Sequence, residues 1–296
     1  MPADPPATDL AEAVNDWFAD AARPLPWRAV DVSPWGVLVS EFMLQQTQVA
    51  RVIPRWHAWL ERWPTPADLA SAPPSEAVRA WDRLGYPRRA LWLHRAATAI
   101  VERHGGEVPR DLDDLLALPG VGPYTARAVA AFAFGARHPV VDTNTRRVIA
   151  RAVLGQEHPG PPSTTRDLAA MGALLPAADA AARTFNAAAM ELGATVCTAR
   201  APACESCPIA AGCAWLIAGR PEYDGPRSAK QARFEGSDRQ IRGLVMRELR
   251  AAHRPLTRAE LDATWPDASR LDRVIATLVH DGLAVAGPDG FALPES

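Results

Sequence analysis

Two carboxylates and four thiols are the groups in this chain best placed to do chemistry. Glu41 stands between Val39 and Phe42 in an apolar run. Burial there would raise its pKa and leave it a proton to donate near neutrality, as a general acid requires. A glutamate on the wet face of a helix is the plainer alternative. Asp142 follows the apolar pair Val140-Val141 and precedes Arg146, Arg147, Val148, Ile149 and Val153 at helical spacing, which places it at a helix N-cap. A carboxylate there is stabilised by the helix dipole and could stabilise positive charge developing on a substrate, although capping alone would also account for it. The cysteines stand as Cys197-x6-Cys204-x2-Cys207-x5-Cys213 in one short loop containing proline. In a reducing compartment such a cluster points to a metal rather than to disulfides, and four thiolates suit either tetrahedral zinc or a 4Fe-4S cluster.

The elements that must hold these groups are mostly helical. Leu112 to Phe134 reads as two helices broken by Leu118-Pro119-Gly120-Val121-Gly122-Pro123, a tight reversal with Pro123 restarting the helix. In such a helix-hairpin-helix, backbone N–H groups around Gly120 and Gly122 can bind a DNA phosphate without net positive charge. Ser33-Pro34 is a strong helix start feeding Val37, Leu38, Val39, Phe42, Met43 and Leu44, and Leu10, Val14, Trp17 and Phe18 recur at helical spacing. Residues 1 to about 9 read as loose. The pattern predicts one large domain over residues 1–218, a polar linker over 219–237 with Pro221, Gly225, Pro226 and Ser228, and a small domain over 238–296. In that tail, three helices, a capping box at Thr257 and Glu260, and a hairpin across Gly287-Pro288-Asp289-Gly290 predict a winged-helix-like α+β fold.

A 296-residue chain that is 48% hydrophobic can bury a substantial core, and its net charge of -2 gives no global sign of a nucleic-acid partner. The basic residues are nearly all arginine; Lys230 is the sole lysine and lies in the linker. No stretch is long and apolar enough to cross a bilayer, the N-terminus lacks a secretory pattern, and no ATP or hydride cofactor motif is present, so a cytoplasmic, nucleoid-associated monomer without membrane contact is expected.

Several motifs in one order carry a resemblance over roughly residues 10 to 215: Leu25-Pro26-Trp27-Arg28, Glu41-Phe42-Met43-Leu44-Gln45-Gln46-Thr47-Gln48, Gly85-Tyr86, the hairpin through Tyr124-Thr125, Val141-Asp142-Thr143-Asn144 and the cysteine loop. In these the chain resembles the adenine DNA glycosylase (MutY) family of iron-sulfur helix-hairpin-helix glycosylases. The resemblance implies an all-α glycosylase fold and a 4Fe-4S cluster on Cys197, Cys204, Cys207 and Cys213. It implies a monofunctional enzyme that removes adenine mispaired with 8-oxoguanine or guanine from double-stranded DNA in base excision repair. Glu41 would protonate the departing adenine, Asp142 would stabilise the sugar cation, Tyr124 would assist it, and Asn144 would position water. Gln46, Leu84 and Tyr86 match the family's intercalating positions, which fill the gap when a base is extruded. Arg28, Arg88, Arg89, Arg146 and Arg147 are candidate phosphate or pocket contacts, with solvated charge as the alternative for each.

The nearest rival is an endonuclease III-like lyase acting on oxidised pyrimidines, disfavoured by Tyr124, which stands where lyase-type relatives carry a lysine, and by Glu41 in its Gln-Gln-Thr context; a non-catalytic DNA-binding iron-sulfur protein is the other rival. Four departures mark the chain, one of them Thr143 in Val141-Asp142-Thr143-Asn144 where many relatives carry glycine. Ala187 follows Phe185-Asn186 where the family carries an acidic or amide residue, Pro87 follows Gly85-Tyr86, and only 83 residues follow Cys213, too unlike a Nudix-type domain to predict one.

Overall fold

The computed structural model describes residues 7–226 and 233–295. In chain order its helices are α1 (Ala7–Ala21), α2 (Pro34–Leu44), α3 (Val49–Arg62), α4 (Pro66–Ser71), α5 (Pro74–Trp81), α6 (Arg88–His104), α7 (Leu112–Leu116), α8 (Pro123–Phe134), α9 (Thr143–Ala152), α10 (Thr164–Leu174), α11 (Asp179–Thr195), α12 (Ala214–Ile217), α13 (Asp238–Ala251), α14 (Arg258–Asp262) and α15 (Ala268–His280). A two-stranded antiparallel hairpin, β1 (Val285–Gly287) and β2 (Gly290–Ala292), closes the chain with Val285 opposite Ala292. The N-terminal stretch departs from expectation: α1 begins at Ala7, so residues 7–9 are helical rather than loose. Residues 1–6, 227–232 and 296 lie outside the described residues, and with them Lys230 and the middle of the expected linker. Among the described residues no helix is long and apolar enough to cross a membrane.

The chain forms two compact units. The first takes residues 7–34, 110–112 and 122–226. Its core joins Ala11 and Val14 of α1, Val148 and Ile149 of α9, Met171 of α10 and Phe185, Ala188 and Leu192 of α11. Burial of such apolar faces is the main force holding helices of this length together.

The second unit takes residues 35–109, 113–121 and 233–295. Every residue of α2 from Trp35 to Met43 is buried, which explains why the run shows no helical periodicity: a helix covered on all sides is apolar all round. Two indole N–H groups anchor it, Trp35 to the carbonyl of Trp63 at 3.0 Å and Trp56 to that of Gly36 at 2.8 Å. The tail supplies the predicted helices α13 to α15, capped by Ser237, Thr257 and Asp267, with Ile241, Val245, Leu249, Leu271, Val274 and Leu278 buried. Thr257 and Glu260 form the capping box read from the sequence.

At the hairpin, Val121 N–H donates to the Leu118 carbonyl and Gly120 takes φ +77°. A Cβ on Gly120 would sit 2.6 Å from that of Trp92, so both the left-handed backbone and the close approach require glycine. Gly122 then starts α8 in an extended conformation, without a side-chain cap and with Pro123 at N1.

Candidate active site

In the first unit the chain enters α9 with its backbone already tied. Asn186 of α11, fully buried, accepts a hydrogen bond from Val140 N–H at 2.9 Å and donates one to the His138 carbonyl at 3.0 Å. Two residues later Asp142 caps the helix. One carboxylate oxygen accepts from Thr145 N–H and the other from the Asn144 side-chain amide, both at 2.7 Å. Asn144 in turn accepts from Arg147 at 2.8 Å, and Arg147 donates to the Cys197 carbonyl at 2.7 Å and to that of Gly193. Gly193 allows this approach, because a Cβ there would lie 2.7 Å from that of Asn144. Burial pushes the Arg147 guanidinium down from its ordinary value, with Cys197 and Asp142 opposing that shift. Asp142 is therefore a carboxylate with both oxygens oriented and its helix held from two sides, the kind of preorganised charge that stabilises a cation without reorganising. Tyr124, half-buried at the first turn of α8, packs on Ala128, Ala131 and Val140, one residue short of Val141-Asp142.

The four cysteines line one pocket with Val148, Leu192, Ile209 and Trp215. Uncompensated thiolates fit poorly there: burial pushes Cys207 up to about 11 and raises Cys213, and the neighbouring cysteines add to both shifts. A cationic group bound among them removes that penalty. Among the described residues no three His, Cys, Asp or Glu side chains converge tightly enough to hold a single ion. Buried Arg151 reinforces the loop, donating to Cys197 Sγ at 3.5 Å and to the Thr198 and Ala199 carbonyls, while stacking on Trp215. N–H groups of Trp215 and Leu216 point at Cys213, as expected for thiolates tuned by hydrogen bonds.

The second unit holds Glu41, Gln46, Leu84 and Tyr86. Glu41 is 6% exposed in the middle of buried α2, so its position is that of a desolvated carboxyl rather than a wet helix face. The candidate intercalating side chains sit on two short loops with unusual backbones. Gln46 has φ 56°, Asp82 47° and Tyr86 48°, conformations that cost a residue with a side chain on the order of 1–3 kcal/mol. Gln46 is exposed and Tyr86 is 50% exposed, whereas Leu84 is buried at 4%. The loops are tied together: Arg89 donates to the Gln45 carbonyl and stacks 4.3 Å over Tyr86, and Thr47 donates to the Leu84 carbonyl at 3.4 Å.

The structure thus gathers Asp142, Asn144 and Tyr124 in one unit and Glu41, Gln46, Leu84 and Tyr86 in the other. Three of the candidate arginines carry ion pairs within the chain. Arg28 pairs with Glu191 at 2.9 Å, Arg146 with Asp167 at 2.6 Å, and Arg88 with Asp281 at 3.3 Å. Sequence reasoning missed Glu191, Asn186 and Gly193. Glu191 is fully buried and takes both Arg23 and Arg28; burial alone would push its carboxyl up, but the two guanidiniums hold it below its ordinary value. The only local signal was polar residues inside the alanine-rich run of α11, and their partners lie far away in sequence.

Comparison with known proteins identifies this arrangement. Residues 39–172 match the "HhH-GPD superfamily base excision DNA repair protein" family, and residues 197–213 match the "iron-sulfur binding domain of endonuclease III". The second match spans all four cysteines, and the pocket they line fits the group, so the cofactor is a 4Fe-4S cluster. An adenine DNA glycosylase of Mycobacterium tuberculosis is 54% identical over 280 residues, covering 94% of this chain and 91% of the relative. One of Mycolicibacterium smegmatis is 53% identical, covering 94% and 93%. Among solved structures, a thermostable thymine-DNA glycosylase superposes with a TM-score of 0.65 at 28% identity, over 71% of this chain and 96% of that one. With over half of its residues shared across nearly the whole length of both chains, this protein belongs to the adenine DNA glycosylase family of the helix-hairpin-helix base excision repair superfamily.

Proposed function

We propose that the protein hydrolyses the N-glycosidic bond of adenine mispaired with 8-oxoguanine or guanine in double-stranded DNA, leaving an abasic site. The observation that carries this reading is the Asp142 carboxylate, oriented at both oxygens at a helix start. Glu41 delivers a proton to the base, the C1′–N9 bond breaks with its electron pair leaving on adenine, and Asp142 stabilises the oxocarbenium-like sugar. Water ordered near Asn144 then adds to C1′ and loses a proton, while Tyr124 packs beside the sugar. The cluster on Cys197, Cys204, Cys207 and Cys213 supplies structural order to a DNA-contacting loop and takes no part in the bond change.

Binding falls to three surfaces. Gly120 and Gly122 present backbone N–H groups to a phosphate, Arg28 contacts the backbone or pocket, and Gln46, Leu84 and Tyr86 fill the space of the extruded base. Residues 1–218 form the glycosylase domain, 219–237 a linker and 238–296 a winged-helix-like domain, a reading supported by three capped helices followed by a hairpin. The protein acts as a monomer in the cytoplasm, associated with the nucleoid.

The test is single-turnover cleavage, after alkali, of duplexes with adenine opposite 8-oxoguanine, guanine or thymine, by wild type, Glu41→Gln and Asp142→Asn. Excision opposite 8-oxoguanine that both variants lose supports the assignment. Adenine left intact while oxidised pyrimidines are cut, with a protein–DNA adduct trapped by borohydride, would replace it with the lyase reading.

A further inference from the structure

The tail has no assigned role, and it packs on both flanks of the strained loop between α5 and α6. Before the loop, Arg79 donates to the carbonyls of Arg250 and Ala252 (2.7 Å for the latter), which end α13. The Arg250 guanidinium is lowered by burial, raised by Asp82 and lowered by Arg83, which places it within electrostatic reach of the first residues of the loop. After the loop, Asp281 at the end of α15 accepts from Arg88 at 3.3 Å with one oxygen and from Arg242 of α13 at 2.6 Å with the other. Gly282 lies against Arg95, two turns further along α6.

The loop needs such support. Asp82, Gly85 and Tyr86 all have positive φ, and conformations of that kind persist only when the surroundings over-determine them. From its own side the loop is held by Trp81 Nε1 on the Gly85 carbonyl at 2.8 Å, by Arg55 on Asp82 and by Arg51 on the Arg83 carbonyl.

We infer that the C-terminal segment, residues 238–295, is a brace that holds the 82–86 loop in the conformation presenting Tyr86 to DNA, with Arg79 and Asp281 as its positioning residues. The role in extrusion rests on the intercalating function proposed above for Tyr86, but the brace itself does not. Where the segment is undocked, the loop relaxes and the cost of breaking a base pair is no longer offset.

Two readouts on the full-length chain test this, using Asp281→Asn, Arg79→Gln and the conservative Asp281→Glu. Amide exchange at residues 82–86 is expected to quicken about ten-fold in Asp281→Asn and Arg79→Gln, with α2 unchanged and Asp281→Glu close to wild type. At sub-saturating enzyme, excision of adenine opposite 8-oxoguanine should fall about ten-fold in the same two variants, while excision of adenine opposite an abasic-site analogue, where no pair must be broken, stays at the wild-type rate. Unchanged exchange at 82–86 overturns the brace, and equal slowing on both duplexes overturns its role in extrusion. A wild type inactive on both duplexes sinks the proposed activity instead, with the exchange result still deciding the brace.

Discussion

The Asp142 region and the Gln46–Tyr86 region solve opposite problems. Around Asp142 the cradle is tied by hydrogen bonds: both carboxylate oxygens, both ends of the Asn144 side chain and the Asn186 clamp are engaged at 2.7 to 3.0 Å. The loops bearing Gln46 and Tyr86 instead carry three left-handed non-glycine residues and expose both side chains. Charge stabilisation is worth most when the charge cannot move, so the first region spends its interactions on rigidity. Filling a gap in a duplex requires a side chain that projects from the surface, and the strain is concentrated where that projection occurs.

If that contrast is right, the two regions must fail differently. The largest effect is expected at Asp142→Asn, which should lower the single-turnover excision rate by about 10³-fold or more with mispair affinity retained, measured by rapid quench and by titration of a non-cleavable duplex. Glu41→Gln should cost roughly 10²-fold or more in the same assay, because the leaving base then departs without a donated proton. Gly193→Ala sharpens the comparison: its methyl meets Asn144 at 2.7 Å, so a loss of about ten-fold or more in rate with little change in affinity is expected from misplacing the cradle alone.

In the other region, Gln46→Gly relieves a left-handed φ and should raise thermal stability by about 1 kcal/mol while weakening mispair binding, seen by melting and titration side by side. The smallest effect is at Glu191. Its carboxyl is held below the ordinary value of 4.5, so its stabilising contribution is fully present above that pH and is lost as pH falls through the depressed folded value. Acid unfolding of Glu191→Gln should therefore show a flatter limb below pH 4.5 than wild type.

The division between what the chain displays and what it hides follows distance along the sequence. The Asp142 cap, the Thr257-Glu260 box, the Gly120 turn and the cysteine spacing are local, and each is a pattern whose partners lie within a few residues. Glu191 with Arg23 and Arg28, Asn186 with Val140, and Gly193 with Asn144 join residues from 46 to 168 positions apart, and no periodicity encodes such a pair. The arginines illustrate the same point. Arg146 and Arg147 read as phosphate contacts or solvated charge, while the fold engages them on carbonyls and a carboxylate.

The most direct test of the central claim places Asp142→Asn and Tyr86→Ala on one duplex holding adenine opposite 8-oxoguanine, with rate at saturating enzyme and affinity measured for each. The account predicts that Asp142→Asn keeps its affinity and loses the rate, while Tyr86→Ala loses affinity and keeps most of the rate at saturation. Equal losses of rate and affinity in both variants would contradict it.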